Sequence, residues 1–343
     1  MSLAKDLEKI EPPDPRVVEL QRINRDLSRK LERAKLRNAD LVEAVLQGAR
    51  DAAVIVGAPP KVAAPSLGRK KGSEEVALLH ASDWQVGKRT KTYNMDVAEE
   101  RLVKTMVDKT IRLTDIARAD HTVSECVLFL GGDMLEGVSI FPGQPFEVDA
   151  SLYDQMFRTA SIIEQVIRRL LGSFKLVTVY DTSGNHGRIG RKGDYPDLDN
   201  TDRMIYRIVH DRMEGETRLT WHHSRDFYQV AKIGTYRPLL FHGHQINSYG
   251  GNVPAYGIIK AFNAWAGGVL EPFHDAYLGH FHTPMTLIGS NGRRICVDGS
   301  PESGNVFAKE FVKALGQPAQ RLYFVDPTKG RVTGDYTLYL DAP

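Results

Sequence analysis

From Val76 onward, short apolar runs that read as strands alternate with amphipathic runs that read as helices, and five of the strand-like runs end in a polar cluster rich in glycine. Strands are predicted at 76–79, 125–130 and 174–180, with helices at 96–118, 151–171 and 201–213 between and after them. This alternation predicts an α/β layered domain. The second half is richer in strands, at 227–233, 238–241, 276–278, 285–288, 294–297, 322–325 and 336–340. One helix, 254–270, interrupts them. No internal repeat is present.

The strand ends carry the chemistry. Ser82-Asp83-Trp84-Gln85-Val86-Gly87 follows the first strand and Gly131-Gly132-Asp133-Met134-Leu135-Glu136-Gly137 the second. Ser183-Gly184-Asn185-His186-Gly187-Arg188 follows the third. Later strands end in His242-Gly243-His244 and Gly279-His280-Phe281-His282. In open α/β sheets ligands bind at the carboxyl ends of strands, so these clusters are expected around one cleft. Carboxylate, amide oxygen and imidazole suit Mn²⁺, Fe²⁺, Zn²⁺ or Ni²⁺. His244 reads as a histidine behind the ligand set, and Asn200 and Asp202 as caps of the third helix or partners of His186. His80, inside the first strand, reads as core.

The order Asp-x-(His), Gly-Asp-x-x-(Asp/Glu), Gly-Asn-His, His-Gly and Gly-His-x-His resembles the signature of calcineurin-like metallophosphoesterases, over about residues 76–340. Ser-Asp-Trp-Gln-Val-Gly with Gly-Asn-His-Gly-Arg, behind an arginine-rich helix, is most similar to bacteriophage-encoded members. The resemblance implies a four-layer α/β/β/α sandwich of two sheets flanked by helices. It implies two divalent ions, Mn²⁺ first among them, with one on Asp83, Gln85, Asp133 and His282 and the other on Asp133, Asn185, His242 and His280. Asp133 would bridge the pair, as a carboxylate spanning two cations can. His280 and His282, two apart on an extended segment, are expected to face the same side. His186 would face the substrate as general acid or charge stabiliser, and Arg188 would hold phosphate oxygens. Gln85 departs from the pattern, which has histidine there; a carbonyl oxygen is a harder and weaker donor.

The implied activity is hydrolysis of nucleotide or nucleic-acid phosphodiesters by metal-activated hydroxide. A phosphomonoesterase or protein phosphatase is the alternative within enzymes, and a non-catalytic scaffold of the same fold the alternative of another class.

Composition bears on what precedes this domain. Residues 1–72 hold 15 Lys+Arg against 10 Asp+Glu, a net of +5, and the remainder 30 against 33, a net of −3. Residues 1–57 predict a helical, coiled-coil-like extension: heptad positions a are Val17, Asn24, Leu31, Asn38 and Val45, and positions d are Leu20, Leu27, Ala34, Leu41 and Gly48. A homo-oligomer through this helix is expected, a helix folded back on its own domain being the alternative. Residues 58–75, with Pro59, Pro60, Pro65, Gly68, Arg69, Lys70 and Lys71, read as a solvated linker, and residues 76–343 as the catalytic domain. No apolar run approaches the roughly 18 residues of a membrane span. Neither a secretory signal nor a disulfide framework is expected from the charged start and from Cys126 and Cys296, so a cytoplasmic protein with two buried thiols is the reading.

Overall fold

A computed structural model describes residues 22, 25, 29, 60–68, 72–141, 143–190, 192–246, 253–303 and 317–341. The chain divides into two units, Met1–Ala52 and Ala53–Pro343. In the first, Arg22, Arg25 and Arg29 are helical and exposed, and the heptad positions lie outside the described residues. In the second, residues 60–68 form neither helix nor strand. Most of them are exposed, and the Pro60 and Val62 carbonyls accept hydrogen bonds from Arg168 and Arg218 at 3.0 and 2.7 Å.

Two sheets follow. The first has the order β11-β10-β1-β2-β3-β4, from β1 (Glu74–Ala81), β2 (Thr122–Leu130), β3 (Leu176–Asp181), β4 (Leu219–His222), β10 (Ala319–Asp326) and β11 (Arg331–Tyr339). Strands β1 to β4 are parallel, and β10 joins β1 antiparallel. The second has the order β5-β6-β7-β9-β8, from β5 (Tyr228–Val230), β6 (Leu239–Phe241), β7 (Ala276–Leu278), β8 (Met285–Ile288) and β9 (Arg294–Val297), with β6, β7 and β9 parallel. The helices are α1 (residues 95–117, with a π-helical stretch Glu100–Met106), α2 (Leu152–Ser173), α3 (Thr201–Arg212) and α4 (Ala255–Ala264).

Strand alternation explains the layering. Val76 and Leu78 of β1, Val127 and Phe129 of β2, Leu240 of β6, Tyr277 of β7 and Cys296 of β9 meet in one core between the sheets. Their neighbours Leu239, Phe241, Ala276, Leu278, Ile295 and Val297 point the other way and pack with Ile258 and Phe262 of α4. Period-2 side chains on strands buried on both faces produce this pair of cores. Helices lie against the outer face of each sheet, giving α/β/β/α layers. Both cysteines are buried free thiols. Among the described residues no helix is long and apolar enough to cross a membrane.

β4 was not expected from the sequence. Leu219-Thr220-Trp221-His222 offers a single buried side chain, Trp221, and sits at the sheet edge, where no apolar alternation is required.

Candidate metal centre

The carboxyl ends of β1, β2, β3, β6 and β7 lead into the loops that hold Asp83, Asp133, Asn185, His242 and His280. Backbone bonds lock the first two loops together: Asp83 N–H donates to Gly132 O, Gln85 N–H to Asp133 O and Val86 N–H to Met134 O, each at 3.0 Å. His280 N–H donates to Asp83 Oδ2 at 2.9 Å, tying the second sheet to the first, and Gly279 N–H donates to His242 O at 3.0 Å, joining the loops after β6 and β7. A Cβ on Gly279 would lie 2.1 Å from Asp83 Oδ2, and one on Gly184 2.0 Å from Asp133 Oδ1. Only glycine permits these approaches.

Backbone conformation singles out the same residues. Among the described residues, the non-glycines with positive φ are Asp83 (54°), Gln85 (45°), Asp133 (53°), His280 (67°) and His282 (51°). Each is a sequence-predicted ligand. Left-handed backbone at a non-glycine residue costs about 1–2 kcal/mol and persists where the surroundings over-determine it. His280 and His282 therefore do not reach the centre along an extended strand, as expected. β7 ends at Leu278, and two left-handed residues in the following loop turn both imidazoles inward.

The side chains converge. Single donor atoms of Asp133, His242 and His280 all lie within 4.8 Å of one another. His242 Nε2 is 2.9 Å from Asp133 Oδ2 and 3.9 Å from Asp83 Oδ1, and His282 Nε2 is 3.3 Å from Asp83 Oδ1. His242 Nδ1–H donates to Gly131 O at 2.8 Å, which leaves Nε2 as the inward-facing nitrogen. Asp133 Oδ1 accepts the His186 N–H at 2.7 Å.

These residues fit a divalent cation. Asn185 Oδ1 is buried with no hydrogen-bond partner, while Asp83 Oδ1 and His242 Nε2 are buried and face other donors of the set, His282 Nε2 at 3.3 Å and Asp133 Oδ2 at 2.9 Å. An orphaned buried acceptor costs about 1–3 kcal/mol, which a bound ion would offset. The field also favours positive charge. Burial lowers the pKa of His242, but Asp133 outweighs it and raises it to about 9. Burial likewise opposes the charge on His282, yet Asp83 and Glu302 raise it to about 10. Asp133 itself, despite burial, is held well below the usual carboxylate range by His242 and His186.

His186 lies beside this set. Its Nδ1–H donates to Glu136 O at 2.8 Å, so Nε2 is the nitrogen left for a substrate. Burial lowers its pKa, but Asp133 and Glu136 raise it to about 9. Arg188 follows on the same loop, with its carbonyl accepting from Ser139 Oγ at 3.4 Å. The His244 ring lies 5.5 Å from that of His242, tilted against it, and burial and His242 push its pKa down to about 3.

Three supporting residues were missed in the sequence or left vague. Gln320 on β10 accepts from Ser82 N and Trp84 Nε1 and donates to Ser82 O, fixing the first loop from the back. Glu302 faces His282 Nδ1 at 3.5 Å and Lys88 Nζ at 3.1 Å. Asp202 at the start of α3 accepts from three backbone N–H groups of the second and third loops. None stands in a recognisable motif. The spacing from Asn200 to Asp202 signals a helix cap, and the cap is present, Asn200 Oδ1 accepting Asp202 N–H.

No protein-family model and no curated protein matches the chain. Among solved structures it is similar to a predicted phosphoesterase from Streptococcus pneumoniae, with 11% identity, a TM-score of 0.31, and 77% of this chain and 98% of that one covered. Vps29 from Entamoeba histolytica, solved with zinc, matches at 13% identity and a TM-score of 0.34, over 77% and 99% of the two chains. A 5'-nucleotidase from Candida albicans matches at 10% identity and a TM-score of 0.37, over 80% and 53%.

Proposed function

We propose that the chain is a divalent-metal phosphoesterase that acts on phosphodiesters of nucleotides or nucleic acid. The observation that carries this reading is the convergence of one residue set with left-handed backbone at Asp83, Gln85, Asp133, His280 and His282, of which the two aspartates and Gln85 are buried. Asp133, Asn185, His242 and His280 would hold an ion, with Asp83, Gln85 and His282 as the donors beside it. Mn²⁺ suits the mixture of carboxylate, amide and imidazole. A bound ion would supply Lewis-acid stabilisation of charge on the phosphoryl oxygens.

The chain's own residues do the rest. Asp133 Oδ1 fixes the His186 backbone, and Glu136 O fixes its ring, so that Nε2–H can protonate a leaving oxygen. Arg188 supplies a guanidinium for phosphate oxygens. Gln144, which lies 3.4 Å from the His186 ring, sits two residues before Phe146, whose side chain is 82% exposed. The Phe146 carbonyl accepts from the Arg89 guanidinium at 3.2 Å. An exposed ring with the Arg89 guanidinium on its backbone suits a nucleobase attached to the phosphate, which favours a nucleotide or nucleic-acid substrate. The test is Mn²⁺-dependent turnover of an aryl phosphodiester against the matching monoester. A kcat/KM at least ten times higher for the diester is expected, and a preference for the monoester would select the phosphomonoesterase instead.

A further inference from the structure

The seven donors are not equally free to bind a cation. Gln85 brings one atom able to ligate, its amide oxygen, because the amide nitrogen has no lone pair to offer a metal. Lys88, three residues on, is a hydrogen-bond donor only. Its Nζ lies 3.3 Å from Gln85 Oε1 and 3.1 Å from Glu302 Oε1, in a side chain 9% exposed. The amide nitrogen is the atom turned inward, 3.3 Å from His282 Nε2, which is itself 3.3 Å from Asp83 Oδ1.

Two cations therefore compete for one oxygen. Turning the amide over would give the oxygen to an ion but set the NH₂ group against the ammonium, two buried donors with no acceptor between them. Such a mismatch costs about 1–3 kcal/mol. The ammonium cannot easily leave, since Glu302 is buried and Lys88 is its counter-charge. The other donor set has no such competitor: Asn185 Oδ1 meets no hydrogen-bond partner, and His242 Nε2 faces Asp133 Oδ2, itself a donor of that set, at 2.9 Å.

Resting on the metal-site reading above, we propose that Lys88 holds the Gln85 amide oxygen away from the position beside Asp83 and His282. The chain then holds one divalent ion firmly, on Asp133, Asn185, His242 and His280. Lys88 stands beside the weak second position as a fixed cation, and a like charge nearby disfavours a further ion there.

The test is calorimetric titration of the metal-free full chain with Mn²⁺. One ion per chain is expected, with any second ion at least 100-fold weaker. Lys88→Met should free the oxygen and tighten the second ion at least tenfold. Because that change strands Glu302, a second variant keeps the ion pair: Gln85→Glu has two oxygens, one for Lys88 and one for the ion, and should also gain the second site. Two ions of similar affinity in the wild type would overturn the proposal and leave the phosphoesterase reading standing. So would a second site that stays weak both in Gln85→Glu and in a folded Lys88→Met. Failure of the wild type to bind any ion would instead remove the metal centre itself, and this proposal with it.

Discussion

Asp202 Oδ2 accepts the backbone N–H of Asp133 at 2.9 Å, and the same oxygen accepts the N–H of Gly184 at 2.9 Å. Asp202 Oδ1 takes the Met134 N–H at 3.1 Å. One carboxylate at the start of α3 thus fixes the two loops that present Asp133 and Asn185, and holds Asp133 at its left-handed φ. Asp202→Asn replaces one acceptor oxygen by a donor facing an N–H. It should weaken Mn²⁺ binding by about 10–100-fold, as loss of a partner behind a ligand does. Titration calorimetry checks this. Unchanged affinity in a folded variant would show that Asp202 serves only as a helix-start residue.

His186 is tied to the centre through its backbone and not through its ring nitrogens. His186→Ala should keep the wild-type ion content and lower kcat on diesters with poor leaving groups by about 10²–10⁴-fold. Aryl leaving groups need no proton, so the loss on them should be much smaller. Equal losses across a leaving-group series would reject the general-acid role.

His80 sets a pH dependence of stability. Its ring lies buried between the sheets beside Phe129 and Tyr277, and neither nitrogen has a hydrogen-bond partner. Burial, helped by Arg321, pushes its pKa down to about 3. The unfolded chain takes up that proton near pH 6.5, and the folded chain does not until about pH 3. Stability is therefore full above pH 6.5 and falls as pH drops toward 3, by about 2 kcal/mol at pH 5 from this group. His80→Leu should lose that portion of the acid slope. Urea unfolding at pH 5 and pH 7 measures it, and identical slopes in the two proteins would contradict the assignment.

The site was legible because its chemistry is local in sequence. Asp83, Asp133, Asn185, His242 and His280 each follow a strand directly, so strand prediction and residue type pointed to them as candidates. Strands β7, β8 and β9 coincide with their sequence-predicted ranges, because each is a compact apolar run between turn residues. What was not legible depends on pairing across the fold. Gln320 meets Ser82 and Trp84 because β10 inserts beside β1, and Glu302, in the segment after β9, meets His282 and Lys88 across the fold. Nothing in the spacing of those residues encodes that contact. The left-handed turns at His280 and His282 escaped for a related reason: propensity disfavours them, and the surrounding hydrogen bonds impose them.

The heptads of residues 17–48 lead to a prediction about assembly. A parallel pair would match Asn24 with Asn24 and Asn38 with Asn38, whereas other registers would set an amide against leucine. We propose a dimer, or a larger even-numbered assembly, that becomes monomeric when residues 1–72 are removed. Hydrolysis of small diesters should survive that removal, because the metal-site donors begin at Asp83. Light scattering that finds the full-length chain monomeric at micromolar concentration would favour a helix folded on its own domain.

The most direct test of the metal centre is hydrolysis of bis(p-nitrophenyl) phosphate by metal-free protein before and after Mn²⁺ is added, in wild type and in Asp133→Ala. Asp133 is the donor on which both loops, both sheets and His186 converge. The account predicts turnover in the wild type only after Mn²⁺ is added, and a loss of at least 10³-fold, together with the bound ion, in Asp133→Ala. Equal turnover with and without the metal, or a fully active Asp133→Ala protein, would contradict it.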